Sequence, residues 1–243
     1  MIEKGKKITI KYFLNIRLPF EPEFYEITED DKDSTELKKY YPLYFQITYN
    51  RKSTQLKCFT DSAYYHDIND IDEKIKAELQ KQMNLLKRIV AYETRHLPQS
   101  YSLRGIRERY LFYATSLMEI IEESVYSKYN DVLPQTKSEY MRMLSQVYPD
   151  KIQFKTIISA TLKLIPDFMD FADENSKMYF VMYSYLDKLF NRMKSRNEEF
   201  TILDWYDGSA RAVVINFMND LQPDENTNRY LVLIDEILKN RMN

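Results

Sequence analysis

Twelve consecutive residues near the start of the chain alternate almost perfectly between apolar and polar side chains, with Phe13 as the exception. Within residues 7–18, one face of the alternation holds Ile8, Ile10, Tyr12, Leu14, Ile16 and Leu18. A period of two is typical of a β-strand with one face buried. Residues 43–49 and 53–59 alternate in the same way, and Asn50-Arg51-Lys52 forms the turn between them. The three runs therefore predict a small antiparallel sheet.

An amphipathic helix is predicted after the sheet. Its apolar residues recur every three or four positions, the spacing of one helix face: Ile71, Ile75, Leu79, Met83, Leu86 and Val90. Asn69 or Asp70 is suited to cap its first turn. The helix should end near Leu97, because Pro98 disfavours helical geometry in the residue before it. We expect the stripe Ile75, Leu79 and Leu86 to cover a sheet face made of Ile10, Leu14, Phe45, Ile47 and Leu56.

Beyond a joint at residues 98–102, the apolar periodicity is helical throughout. Helices are predicted at residues 103–128, 137–148, 150–164, 166–173, 175–196, 209–221 and 226–241. Methionine and aromatic side chains within residues 178–193 have helical spacing, which suits either a core or a protein interface. The expected fold is α+β: a small three-stranded antiparallel sheet with one packed helix in a domain of residues 1–98, followed by an all-helical domain of residues 103–243.

The cysteine content and the distribution of apolar residues bear on where the protein is located. Cys58 is the single cysteine, so neither an intrachain disulfide nor a Cys-rich zinc site is expected. The first residues lack the apolar segment of a signal peptide, and no apolar run is long enough to cross a bilayer. We therefore expect a cytoplasmic protein, or one that sits in a particle assembled inside a cell, without a membrane partner.

Charge is unevenly distributed over the first 60 residues. Outside residues 21–37 there are ten basic side chains and one acid, a net charge of +9, whereas residues 21–37 carry −7. One interpretation is a charged, solvated hairpin loop. The other is a basic face flanked by an acidic arm that screens it or docks on a partner.

A second group of cations gathers at residues 95–109, where four arginines lie near a helix start: Arg95, Arg104, Arg107 and Arg109. They suit either a phosphate-binding patch or a solvated helix end with an ion pair to Glu108. The second interpretation is favoured, because cations at a helix N-terminus oppose the helix dipole.

The sequence offers no catalytic motif. It contains no P-loop, no Gly-rich dinucleotide turn, no Gly-x-Ser-x-Gly and no metal-ligand spacing. The acidic pairs Glu122-Glu123, Glu198-Glu199 and Asp235-Glu236 are adjacent in sequence, and neighbours on a helix point in different directions. We therefore expect no enzyme activity and no cofactor.

The segment Tyr41-Pro42-Leu43-Tyr44, which opens a strand, leads through the basic turn Asn50-Arg51-Lys52 into a third strand. With residues 7–18, this pattern resembles the arm-type DNA-binding domain at the N-terminus of tyrosine recombinases of Bacteroidetes mobile elements. The resemblance covers roughly residues 6–95. The catalytic domain of that family is not expected, because its His-x-x-Arg signature is absent and neither His66 nor His96 begins one.

Domains of this kind bind duplex DNA with the sheet against a groove. The resemblance therefore implies DNA contact by Lys11, Arg17, Arg51, Lys52 and Lys57. We expect a non-catalytic DNA-binding accessory protein of a phage or mobile element, similar to a truncated integrase. The alternative is a structural protein of the phage particle, such as a ring or connector component, built on a recruited DNA-binding fold. Duplex DNA and protein partners, including self-association, are the expected partners.

Overall fold

The computed structural model describes residues 7–19, 39–60, 64–96, 101–132, 166–195, 199–221 and 226–242. The chain divides into two compact units, Met1–Tyr113 and Ala114–Asn243. The first contains a small antiparallel sheet and the second is helical in its described residues, so the predicted α+β class is confirmed. The helices predicted at residues 137–148 and 150–164 lie outside the described residues. The domain bounds of 1–98 and 103–243 stay a prediction about independent folding.

Three strands form the sheet of the first unit in the order β1-β2-β3: Ile8–Leu14, Tyr41–Tyr49 and Lys52–Lys57. Both neighbouring pairs are antiparallel. The turn from β2 to β3 consists of Asn50 and Arg51, whose φ angles are +49° and +64°. Positive φ at both central residues is the requirement of a type I′ hairpin turn, whose twist matches that of the strands. A short strand β4, Tyr64–Tyr65, adds to the start of β2.

The apolar face of the sheet is confirmed at four of the five expected positions. Ile10, Phe45, Ile47 and Leu56 are at most 5% exposed. Leu14 is only half-buried, so its expected burial was wrong. The predicted strand of residues 7–18 also ends early, because the chain turns after Leu14, where the Leu18 amide donates to the Asn15 carbonyl at 3.1 Å.

Helix α1 spans Glu73–His96 and packs beside β1. Its cap is Asp72, whose Oδ1 accepts from the Ile75 amide at 2.8 Å. The expected cap at Asn69 or Asp70 was wrong, because those residues form a separate 3-10 turn that Asp67 caps. Leu79 and Leu86 of the predicted stripe are fully buried, and Ile75 is half-buried.

The single helix predicted at residues 103–128 is two helices, α2 at Ile106–Ala114 and α3 at Leu117–Val132. The interruption between Ala114 and Leu117 is explained by two backbone hydrogen bonds within the second unit. The Thr115 carbonyl accepts from the Ile202 amide at 3.0 Å, and the Leu117 amide donates to the Phe200 carbonyl at 2.9 Å. These bonds form a bridge between Ser116 and Thr201 and replace helical bonds at that point.

The described residues of the second unit form four more helices: α4 Glu174–Lys194, α5 Ile202–Tyr206, α6 Ser209–Leu221 and α7 Thr227–Met242. A 3-10 turn, Pro166–Phe171, stands where a helix of residues 166–173 was predicted. Buried side chains from α3, α4 and α7 include Tyr129, Met182, Leu186 and Ile234, all fully inaccessible. Within the described residues, no helix has both the length and the hydrophobicity to span a membrane.

Candidate nucleic-acid interface

The side of the sheet opposite the apolar core carries three rows of side chains that run across the strands. Strand pairing places the members of each row directly opposite one another. We call this surface the outer face; its rows are Thr9-Thr48-Ser53, Lys11-Gln46-Gln55 and Phe13-Tyr44-Lys57.

The middle row is fully available to a ligand, since Lys11, Gln46 and Gln55 are all exposed. Each glutamine side chain offers both a hydrogen-bond donor and an acceptor, and the lysine offers three donors and a positive charge. The row therefore combines polar recognition with attraction for an anion.

The hydroxyl row lies toward the hairpin turn. Thr48 Oγ1 and Ser53 Oγ are 2.8 Å apart and share a hydrogen bond across β2 and β3. Because each hydroxyl can still accept a further hydrogen bond, the pair keeps capacity for a ligand while being held in place.

The third row, at the other end of the outer face, is aromatic with one cation. The half-buried rings of Phe13 and Tyr44 have centroids 6.2 Å apart at an angle of 44°. Lys57 is exposed, and its Nζ lies 3.4 Å from the Tyr64 hydroxyl and 5.1 Å from the centre of that ring. The contact with Tyr64 positions the ammonium group of Lys57 but, among the described residues, leaves its positive charge unpaired with an acid.

The structure brings together two of the five cations expected to contact DNA. Lys11 and Lys57 lie in adjacent rows of the outer face. Lys52 pairs with Tyr49 and therefore stands on the opposite side of the sheet, while Arg51 occupies the turn. All five cations are exposed, but strand pairing does not place Lys52 on the outer face with Lys11 and Lys57.

Arg17 lies past the end of β1, and Arg51 lies at the hairpin turn. The paired part of β2 between these two ends runs from Leu43 to Tyr49, about 20 Å at the rise of an extended strand. The two arginines therefore flank the outer face from its opposite ends.

Four members of this surface were not selected from the sequence as site residues: Gln46, Gln55, Phe13 and Tyr44. The same alternation that predicted the buried residues also assigned these four to the side of Lys11 and Lys57. Only cations were selected, because DNA contact was expected from side chains that neutralise phosphates. The acidic residues 21–37, proposed as an arm that screens the basic face, lie outside the described residues.

One of the four arginines at residues 95–109, Arg109, has a structural role. Arg109 Nε donates to Glu93 Oε2 at 2.9 Å, and its other nitrogens donate to the carbonyls of Ser102 and Arg104 at 2.7 and 2.6 Å. The expected partner Glu108 was wrong; Glu93, sixteen residues away, holds the guanidinium. Arg109 is thus used inside the first unit and is not available to a phosphate.

Among the described residues, no group of three or more His, Cys, Asp or Glu side chains could hold a metal ion. No family model, curated protein or solved structure matches the chain. The chemistry of the outer face and the resemblance of residues 6–95 are therefore the grounds on which a function is proposed below.

Proposed function

We propose that this chain is a non-catalytic DNA-binding accessory protein of a phage or mobile element, and that it binds duplex DNA through the outer face. The observation that carries the proposal is the exposed row Lys11-Gln46-Gln55 with Lys57 beside it. Cations neutralise phosphates, and amides match the edges of bases.

The dimensions of the sheet suit a groove of DNA. Three strands at the usual spacing extend about 10 Å between their outer axes, and the major groove of B-DNA is about 12 Å wide. A glutamine side chain can donate to adenine N7 and accept from its N6 amino group. Gln46 and Gln55 are therefore the proposed base contacts, and Lys11 and Lys57 the proposed phosphate contacts.

The resemblance of residues 6–95 to arm-type domains of tyrosine recombinases supports the same mode, since domains of that kind place their sheet against a groove. The proposed role is binding rather than a reaction, because the sequence pairs no nucleophile with a base in a recognised motif.

A salt series on matched variants tests this proposal. The double change Lys11→Ala, Lys57→Ala is compared with Lys74→Ala, Lys81→Ala, which removes two exposed lysines of α1. Fluorescence anisotropy with a labelled duplex, from about 50 to 200 mM salt, should show the log–log slope falling by about 1.8 for the first pair and remaining unchanged for the second. Absence of binding by the unaltered protein at about 50 mM salt would refute the proposal.

The alternative, a ring or connector component of a phage particle, is supported by the overall charge of −2 and the −7 carried by residues 21–37, since a net negative charge opposes DNA binding at long range. A closed ring requires repeated contacts between copies. Light scattering coupled to size exclusion distinguishes the roles: a discrete multiple of the 29.4 kDa chain, combined with no DNA affinity, favours the particle component.

A further inference from the structure

The aromatic row differs in chemistry from the other two rows of the outer face. Phe13 and Tyr44 are half-exposed, although they stand on the side of the sheet opposite the core formed by Ile10, Phe45 and Ile47. An edge of paired bases in a groove offers little area for two such rings. The face of a base, by contrast, is an apolar π-surface that stacks on aromatic side chains regardless of its identity.

We propose that Phe13 and Tyr44 stack an unpaired nucleobase, so that the outer face prefers duplex DNA containing an unpaired nucleotide over a perfect duplex. This inference rests on the proposed DNA binding and adds the form of DNA that is recognised. A base in an intact duplex has both faces covered by its neighbours; only an unpaired base can turn a face toward the rings.

Lys57 gives the aromatic row the charge that such a nucleotide requires. It lies directly opposite Tyr44, and its Nζ is held 3.4 Å from the Tyr64 hydroxyl, at the same end of the face. A base stacked on Phe13 and Tyr44 leaves its phosphate at the margin of the rings, where the exposed ammonium group is the nearest cation on the outer face. Aromatic rings interleaved with a cation are the usual components of sites for unpaired bases.

The spacing of the rows allows paired and unpaired nucleotides to be bound together. Successive rows on one face of a strand are about 7 Å apart, which equals about two nucleotide steps along a DNA strand. Gln46 and Gln55 would then contact base pairs close to the unpaired nucleotide. The glutamine row would thus contact the duplex, and the aromatic row would bind the unpaired base.

Three labelled probes of one sequence test the inference with the full chain: a perfect duplex, the duplex with one extra unpaired thymidine, and the duplex with an abasic nucleotide at that position. Anisotropy titrations should give about fivefold or tighter binding to the thymidine bulge than to either other probe, the lower end of what stacking one base contributes. The abasic probe separates stacking from the easier bending of a bulged duplex.

Variants then assign the preference to the rings. Tyr44→Leu and Phe13→Leu should each reduce the preference for the thymidine bulge over the perfect duplex to less than twofold, and Tyr44→Phe should retain that preference. Equal binding of the thymidine and abasic bulges, or a preference that survives both leucine variants, overturns the inference while the proposed duplex binding stands. Failure to bind any probe rejects the proposed function itself.

Discussion

Arg109 Nε lies 2.9 Å from Glu93 Oε2, in an ion pair in which the glutamate side chain is 5% exposed and the arginine side chain is 28% exposed. The pair joins the end of α1 to α2 within the first unit. Burial raises the pKa of Glu93 even though the charge and hydrogen bond of Arg109 oppose that rise. The arginine therefore keeps a buried carboxylate tolerable, and also fixes the backbone of residues 102–104 through two carbonyls.

Replacing Arg109 with methionine should lower the free energy of unfolding by about 3 kcal/mol, because an unpaired buried carboxylate remains. The double change Glu93→Met, Arg109→Met should recover part of that loss, since apolar residues can replace a buried pair. Arg107→Met, at an exposed position of α2, is the control. Urea unfolding followed by circular dichroism measures all three; equal effects of Arg109→Met and Arg107→Met would contradict the assigned role.

The same pair predicts a pH dependence. The folded state raises the pKa of Glu93 above its ordinary 4.5, so between these two values the folded protein holds the proton that the unfolded chain has lost. The contribution of Glu93 to stability therefore falls as pH rises through that window. In Arg109→Met the pKa should rise further, and urea midpoints at pH 5 and pH 7.5 should differ more than in the unaltered protein.

Cys58 should be inert to thiol reagents in the folded protein. Its side chain is 7% exposed, and burial raises the pKa of the thiol from 9.0 to about 12. Since the thiolate is the reactive form, a shift of this size reduces its population about a thousandfold at pH 8. Reaction with a chromogenic disulfide should release less than a tenth of one equivalent in the folded state and one full equivalent in urea; rapid release without urea would show that the sheet opens there.

Arg51 has a φ of +64°, a region in which side chains other than glycine, asparagine and aspartate are strained. Arg51→Gly should therefore raise the free energy of unfolding by about 1 kcal/mol, while Arg51→Ala should not. If this cation contacts phosphate, the same glycine variant binds DNA more weakly despite its greater stability. Thermal melting and anisotropy on one preparation compare the two effects; a melting temperature that falls would contradict the turn assignment.

Ile16 and Ile47 show how far the alternation in the sequence could be followed. Both were expected on apolar strand faces, yet Ile47 is fully buried and Ile16 is 72% exposed. The alternation continues past Leu14, but the last pair between β1 and β2 is Leu14 with Leu43, and the chain then turns, as the bond from the Leu18 amide to the Asn15 carbonyl shows. Periodicity states which side of a strand a residue would face, whereas the turn decides where the strand ends.

These two isoleucines make a matched test. Ile47→Ala should cost about 2–5 kcal/mol of unfolding free energy, the usual range for a core residue of this size, and Ile16→Ala should cost less than about 0.5 kcal/mol. Chemical denaturation of both variants measures the difference. Similar losses would mean that β1 extends to Ile16 in solution.

Part of the candidate site could likewise be predicted from the sequence, and part of it could not. Lys11 and Lys57 could be chosen from the sequence because alternation and charge agree there. The separation of Lys52 from them depends on a two-residue turn, which returns the chain so that Lys52 pairs with Tyr49 on the core side. A longer turn would have changed that register, and the sequence alone did not define how many residues the turn contains.

The double change Arg51→Ala, Lys52→Ala therefore tests how far DNA extends along the sheet. Both cations lie at the turn, about 20 Å along β2 from the end near Arg17. If a duplex follows the whole outer face as far as Arg51, removing the pair should lower the magnitude of the log–log salt slope by about 0.9, the share of Arg51, because Lys52 stands on the other side of the sheet. Binding to unrelated duplexes should weaken equally, because phosphate contacts carry little sequence information. Arg17→Ala, at the other end, should lower the slope by about 0.9.

A shorter footprint gives a different pattern. If DNA covers only the rows of Lys11 and Lys57, the variant Arg51→Ala, Lys52→Ala should have the same salt slope as the unaltered protein. The variant Lys11→Ala, Lys57→Ala should still have a shallower slope. In a particle component, by contrast, none of these changes alters a salt slope, and Arg51 and Lys52 would instead pair with carboxylates of a neighbouring subunit, which a structure of the assembly would show. The three slopes measured on one duplex thus separate DNA recognition along the whole face, recognition at its centre, and no recognition.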